Sequence, residues 1–210
     1  MIFETASSMN SETIARMLLA GLVILFFLVR IIFTVKTRRD GGEKQNDKSA
    51  IDREGKANFI IRRMIVLPAL AVVVFFYCIG SSWISVFSFP MPLWALWAGA
   101  ILGLCGMGLL VWVHICLGKE WSTKLRLRTD HHLVQTGPYA RIRHPMYTAL
   151  FAIYGSMGIL SSNYAILVLI AMAVTSIAVR IPREEQMLAE KFGEEYRTYV
   201  QKTGSLFPGI

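Results

Sequence analysis

Residues 64–118 read MIVLPALAVVVFFYCIGSSWISVFSFPMPLWALWAGAILGLCGMGLLVWVHICLG, and this run decides the fold. It contains no Asp, Glu, Lys or Arg. At about 20 residues per crossing, it accommodates two membrane helices and a turn. Phe89-Pro90-Met91-Pro92 marks the turn, and Trp83, Trp94 and Trp97 flank it as an aromatic belt at a membrane surface does. Gly99, Gly103 and Gly106-x-Gly108 place small residues along the later helix, where they allow close helix approach rather than forming a ligand loop.

Outward from this run the pattern repeats. Met17 to Val35 is apolar except for Arg30, which lies near the far end and is expected to reach the interface. Residues 36–63 are charged and include Gly41-Gly42, so a flexible basic loop is expected there. Residues 119–143 are polar and basic. From His144 to Val179 ionised side chains are again missing, and two spans share that run, folded at Ser161-Ser162-Asn163. Each receives roughly 17 residues, or about 25 Å of helix, a short hairpin for a bilayer. From Arg180 onward the chain is amphipathic; Pro182 is expected to start or kink this tail and Gly193 to interrupt it.

The chain of 210 residues is 54% hydrophobic, with a mean hydropathy of +0.49, which excludes an ordinary soluble domain. The net charge of +8 does not indicate nucleic acid, because the basic residues lie in blocks between apolar spans. The N-terminus and the turns near Pro90 and Asn163 carry no Lys or Arg, whereas the 36–63 loop, the 119–143 loop and the tail hold nearly all of them. The expected architecture is therefore an all-α integral membrane protein with five transmembrane helices. Its N-terminus is outside and its C-terminus cytoplasmic, which brings the 119–143 loop and the tail to one face. The division expected is an N-terminal three-span region, 1–118, and a catalytic region, 119–210. The first span has no basic region before it and no small-residue cleavage site after it, so it reads as retained.

Cys78, Cys105 and Cys116 lie in apolar runs without a CxxC pair and read as packing thiols. The four histidines offer no HxxxH or HExxH spacing, so no metal is expected, and His114 reads as packed or interfacial. No glycine-rich strand–loop–helix cradle and no GxSxG nucleophile is present.

The polar residues that remain gather in two clusters. One runs from His131-His132-Leu133-Val134 through Gly137-Pro138-Tyr139 to Arg143-His144-Pro145-Met146-Tyr147. Gly137-Pro138 reads as a turn and Pro145 as the first residue of a helix. The other is Arg180-Ile181-Pro182-Arg183-Glu184-Glu185. Arg180 and Glu184 are four apart and share a helix face. They form either a solvated salt bridge or a guanidinium and a carboxylate aimed into a partly buried cavity.

The run Leu133-Val134-x-x-Gly137-Pro138-Tyr139-x-x-x-Arg143-His144-Pro145-x-Tyr147 is followed by Arg180-x-x-x-Glu184-Glu185, Phe192-Gly193-x-x-Tyr196 and Thr203-Gly204-x-x-Phe207-Pro208. Together, and with Trp121-Ser122, these elements resemble the isoprenylcysteine carboxyl methyltransferase family, within the integral-membrane methyltransferases that include phospholipid N-methyltransferases. The resemblance covers about the last 95 residues; the first three spans share only hydropathy. It implies an S-adenosylmethionine-dependent enzyme whose cofactor pocket is formed by the cytoplasmic loop and the tail. By position, His131, His132, Leu133 and Val134 match the segment lining that pocket, and Tyr139, His144, Pro145, Met146 and Tyr147 match further cofactor contacts. Glu184 matches the cofactor-binding carboxylate, and Arg180 the catalytic arginine at the acceptor.

The chemistry suits these residues. Tyrosine faces meet a sulfonium cation, Glu184 accepts from an amino group, and backbone N–H groups near Pro145 are expected to meet a carboxylate. A carboxylate acceptor needs no general base, and no obvious base is present, which favours carboxyl methylation of a lipophilic or prenylated acceptor entering between helices. A phospholipid or other small lipophile as acceptor, an NADPH-dependent reductase of the sterol-reductase type, and a transporter or assembly subunit are the alternatives. The expected location is the cytoplasmic membrane in a prokaryote and the endoplasmic reticulum in a eukaryote, with membrane lipids as neighbours.

Overall fold

The computed structural model describes residues 2–39, 55–118 and 133–209; for residues 2–10 and for Arg38 it describes the backbone alone. The described residues are helical throughout, with two isolated bridges, Ser88 to Asn163 and Ile142 to Gly204, as the extended pairings. In chain order the helices are α1 Ile2–Arg39, α2 Lys56–Cys78, α3 Ser82–Ser85, α4 Leu93–Leu117, α5 Pro145–Ser161, α6 Tyr164–Ala178, α7 Arg180–Phe192 and α8 Glu194–Lys202. Among the described residues, four stretches are long and apolar enough to cross a membrane: Ser11–Thr37, Lys56–Cys78, Leu93–Leu117 and Tyr164–Phe192. In the last of these, the apolar part is α6; α7 is strongly amphipathic and charged, and lies beyond the span. At 17 residues α5 is about 25 Å long, and α6, at 15 residues, is shorter still. The chain is a multi-pass integral membrane protein.

The helices α4 and α5 pack closest, and their sequences explain why. A Cβ added at Gly103 would stand 2.5 Å from Ser156 Oγ, at Gly99 2.8 Å from Ile159 Cγ2, and at Gly106 3.0 Å from Ala152 Cβ. Across this seam the Ser156 hydroxyl donates to the Gly99 carbonyl at 2.6 Å. Dispersion and hydrogen bonding drive such contacts, since lipid and side chain are equally apolar. Gly108 does not take part: nothing lies within 4 Å of the space its Cβ would fill.

One end of the molecule is closed by the two uncharged turns. Ser162 adopts a left-handed conformation, φ 43°, after the last turn of α5. Asn163, fully buried, then caps α6 by accepting from the N–H groups of Ala165 and Ile166 at 3.1 and 3.3 Å. Its Nδ2 donates to the Ile84 carbonyl at 2.9 Å and to Ser88 Oγ at 3.2 Å, joining this turn to the one before α4. The opposite end gathers the polar elements: Asn58 Nδ2 donates to the Ser176 carbonyl at 3.2 Å, and Thr37 Oγ1 to the Gly118 carbonyl at 3.5 Å.

Several expectations change. Residues 36–39 and 56–63, read as loop, are helical. Arg62 and Arg63 line an internal cavity, Thr37 is buried where α4 ends, and Lys36, Arg39 and Arg63 keep exposed surface. The remainder of the expected loop, 40–54, lies outside the described residues. Cys105 is exposed on the outer surface, while Cys78 and Cys116 are half-buried, so none is a fully buried packing thiol. His114 is packed, with Nδ1 2.7 Å from the Leu110 carbonyl and its ring against Phe33.

Candidate functional site

The polar end is built by stitching the chain's last residues to the segment before α5. The N–H groups of Arg143 and His144 donate to the carbonyls of Gly204 and Ser205 at 2.8 and 3.0 Å, and Gly204 N–H donates to the Arg141 carbonyl at 3.1 Å. Thr148 Oγ1 adds a bond to the Leu206 carbonyl at 2.6 Å. Gly204 is required here, because any Cβ would run into the Phe207 carbonyl oxygen. Gly137 begins a short 3₁₀ turn, Gly137–Ala140, and Pro145 begins α5, as their residue types imply. Four of the backbone donors near Pro145 are therefore spent within the fold. Arg143 and His144 give theirs to the tail, while Tyr147 and Thr148 give theirs to the His144 carbonyl.

Side chains complete the clasp. Glu185 Oε1 accepts from Arg143 Nε at 3.0 Å and from His144 Nε2 at 3.1 Å. Arg143 Nη1 also donates to the carbonyls of Val200, at 3.3 Å, and Thr203. The hydrogen bond from His144, opposed by burial and reinforced by Arg143, pulls the Glu185 carboxyl down to about 2. The Tyr147 hydroxyl donates to Glu184 Oε2 at 2.6 Å, and the Tyr199 hydroxyl to the Tyr139 carbonyl at 2.7 Å. The His144 and Tyr147 rings stack with centroids 5.6 Å apart.

This clasp forms one end of a cavity of about 770 Å³. Its polar end is lined by Tyr139, Arg143, His144, Tyr147, Arg180 and Glu184, together with Tyr196 and Tyr199 from α8. Its apolar end runs between α1 and α2 to Ala20, Phe75 and Cys78. Measured along α1 from Arg30 to Ala20, that reach is about 15 Å. Burial pushes the Tyr139 hydroxyl well up, with the Glu184 charge adding, and pushes the Tyr199 hydroxyl to about 12 against the pull of Arg143. Both stay protonated at neutral pH, so neither serves as a base.

Of the residues expected at a site, Leu133, Val134, Tyr139, His144, Met146, Tyr147, Arg180 and Glu184 share this one cavity. Arg180 is 7% exposed and on the wall, so the cavity reading of the Arg180/Glu184 pair replaces the solvated salt bridge. Pro145 is fully buried at the start of α5 and is not on the wall. Its part is to set the helix start that aims His144 and Tyr147. His131 and His132 lie outside the described residues. Sequence reading missed Tyr199 and Arg30. Arg30 lines the cavity instead of reaching the lipid interface, and the signal was its spacing with Val23, Phe26 and Phe27, which places all four on one helical face.

The wall fits S-adenosylmethionine. Among the described residues the Tyr196 hydroxyl, buried on this wall, has no hydrogen-bond partner, an orphan that a bound polar molecule would satisfy. Glu184 suits an α-amino group, tyrosine faces suit a sulfonium, and guanidinium groups suit a carboxylate.

Comparison with known proteins gives a match of residues 99–190 to the model of the isoprenylcysteine carboxyl methyltransferase (ICMT) family. The chain is 29% identical over 150 residues to protein-S-isoprenylcysteine O-methyltransferase B of Arabidopsis thaliana, covering 69% of this chain and 70% of that one. It is 26% identical over 108 residues to the nickel-cobalt-cadmium resistance protein NccN of Alcaligenes xylosoxydans xylosoxydans, covering 51% of each. Among solved structures, it is similar to the eukaryotic intramembrane Ras methyltransferase ICMT at 23% identity and a TM-score of 0.47, covering 73% of this chain and 53% of that one. The chain thus spans about half the length of NccN and of that methyltransferase.

Proposed function

Because this chain belongs to the isoprenylcysteine carboxyl methyltransferase family, we propose that it transfers a methyl group from S-adenosylmethionine to the carboxylate of a lipophilic, isoprenylcysteine-like acceptor. The observation that carries this reading is the convergence of Arg180, Glu184 and Tyr147 on one wall, at the polar end of a cavity whose other end is apolar.

When bound, S-adenosylmethionine would supply an electrophilic methyl group, with its sulfur as a neutral thioether leaving group. The residues act by placement. Glu184, held by the Tyr147 hydroxyl, would take the amino group of the cofactor, Tyr139 and Tyr196 would offer their rings to its cation, and Leu133, Val134, His144 and Met146 would complete the pocket. His131 and His132 are proposed to close it from the preceding segment. Arg180 orients the acceptor carboxylate. No proton moves, because the attacking oxygen is already ionised, so tyrosines that stay protonated fit the task. The apolar wall takes the lipid tail and keeps water from the reacting groups.

In this reading α5 crosses the membrane as a fifth, short span, with the N-terminus outside and the polar end in the cytoplasm. Residues 119–210 carry the cofactor, and the first three spans line the acceptor side. The test is transfer of labelled methyl by the detergent-purified chain to a panel of prenylcysteines, aminolipids and membrane extract, with products identified by mass spectrometry. Expected are a prenylcysteine methyl ester and calorimetric S-adenosylmethionine binding that Glu184→Ala weakens at least about tenfold. Folded protein that binds no S-adenosylmethionine overturns the proposal.

A further inference from the structure

The apolar end of the cavity is closed by polar groups. Among the described residues its lining ends at Ala20 on α1 and at Cys78 on α2. Arg16 is one turn before Ala20 on the same face of α1, and Tyr77 adjoins Cys78. The Arg16 guanidinium lies over the Tyr77 ring, 5.7 Å from its centroid, and its Nη2 donates to Glu12 Oε1. Gly80, with φ 74°, brings the chain after α2 against the same guanidinium: a Cβ there would stand 2.6 Å from Arg16 Nη1. Leu19 and Tyr77, next in sequence to the last lining residues, are buried. A cation laid on an aromatic face thus ties α1 to α2 just beyond the cavity. Short of this cap, the apolar stretch has the same length on both helices. From Arg30 to Ala20 along α1 is about 15 Å, and from Leu67 to Cys78 along α2 about 16 Å. A run of about twelve carbons, with bonds of about 1.5 Å, extends over about 15 Å. That is the main chain of a farnesyl group; geranyl is one isoprene unit shorter and geranylgeranyl one longer. Ile24, Phe27 and Phe75 line the cavity and are also exposed, so they edge its long side between α1 and α2.

We propose that Arg16, held on Tyr77, is a stop that reads the length of the acceptor tail, so that the chain takes a farnesyl tail and rejects a geranylgeranyl one. The stop rests on the methyltransferase reading, which puts the acceptor carboxylate at Arg180, and adds the tail length that this reading leaves open. A tail ending at Ala20 fills the apolar stretch. A shorter one leaves lining atoms without partners. A longer one has to lift Arg16 from Tyr77 or fold back into space already filled, which is the cost of overpacking.

The test measures equilibrium binding of labelled N-acetylcysteines carrying S-geranyl, S-farnesyl or S-geranylgeranyl tails to the full chain in phosphatidylcholine nanodiscs. Empty discs are subtracted and ligand is counted per lipid, so that partition of the tails into the bilayer cancels. The farnesyl compound is expected to bind about tenfold tighter than the geranylgeranyl one and several-fold tighter than the geranyl one. Ala20→Leu raises the floor, so farnesyl binding should weaken about tenfold while geranyl binding stays within about twofold. Arg16→Ala removes the stop, so geranylgeranyl binding should rise to within about twofold of farnesyl. Melting in the same discs identifies folded variants, and Ala20→Leu, which leaves Arg16 and Tyr77 in place, decides the question if Arg16→Ala does not fold. Equal binding of farnesyl and geranylgeranyl by wild type overturns the proposal and sends the longer tail out between Phe27 and Phe75. So does folded Arg16→Ala that still rejects geranylgeranyl, or folded Ala20→Leu that binds farnesyl as wild type does. If wild type shows the expected order but binds no S-adenosylmethionine by calorimetry, the methyltransferase reading fails while the stop stands.

Discussion

Helix α5 has two faces, and the regions they meet are built on opposite rules. Ala149, Ala152 and Ser156 face the seam with α4, where glycines bring two backbones together and leave no space. Tyr147, Leu150, Tyr154 and Met157 face the cavity, where large side chains from α1, α2, α5 and α7 surround an enclosed volume. Small residues collapse a helix interface; large and ionisable ones keep it open and give it chemistry. The seam therefore fixes the position of α5, and the cavity uses the side chains that α5 presents. Mutations should separate accordingly: changes at the cavity alter turnover with the fold intact, and changes at the seam alter the fold first.

The largest effect is expected at Arg180. Arg180→Ala should lower methyl transfer at least about a hundredfold, roughly 3 kcal/mol, by removing the charge that orients the acceptor. Calorimetric S-adenosylmethionine affinity should change less than about threefold. Equal loss of both would break the comparison, because it would make Arg180 a support of the fold like the seam residues.

The seam gives the next effect. Gly103→Leu must push into Ser156 and Leu22, and should cost about 1–3 kcal/mol of stability, read as a lower melting temperature in detergent. Gly108→Leu, on the same helix with open space at its Cβ, is the matched control and should melt like the parent.

These paired glycines show what was legible in the sequence. Period and charge placed the helices, the turns at Pro90 and Asn163, and the helix start at Pro145, because those depend on local chemistry. The resemblance placed Arg180, Glu184 and Tyr147, which the fold brings onto one wall. It was not visible that Gly108 points away while Gly99, Gly103 and Gly106 do not, since helix rotation is set by the partner. The role of Arg30 was hidden for the same reason: an arginine near a helix end reads alike whether it faces lipid or a cavity. Glu185 stood beside a better-known carboxylate, and only the folded tail shows that it holds Arg143 and His144.

That clasp predicts a pH dependence. The Glu185 carboxyl is depressed from 4.5 to about 2 in the folded chain, so its stabilisation is complete above the unfolded value and is lost as pH falls through that window. Limited proteolysis of the tail at pH 7, 5 and 3 should show cleavage near residue 204 rising at the lowest pH. Glu185→Gln should raise cleavage at pH 7 and flatten the profile. An unchanged profile in Glu185→Gln would assign the acid response to another carboxylate.

The smallest effects come from two tyrosines three residues apart on α8, with ring centroids separated by 6.1 Å. The Tyr199 hydroxyl spends its hydrogen on the Tyr139 carbonyl, as a seam residue would. The Tyr196 hydroxyl is buried on the cavity wall without a partner among the described residues, as a ligand-binding residue would be. Tyr199→Phe leaves a carbonyl unanswered and should cost about 1 kcal/mol of stability, with little change in cofactor affinity. Tyr196→Phe removes an uncompensated buried polar group, so the ligand-free protein should melt at the same temperature or higher, while S-adenosylmethionine affinity drops about three- to tenfold. The opposite signs matter more than the sizes. If Tyr196→Phe lowers the melting temperature and spares binding, its hydroxyl serves the fold, and the line between the two regions has to be drawn on the other side of α8.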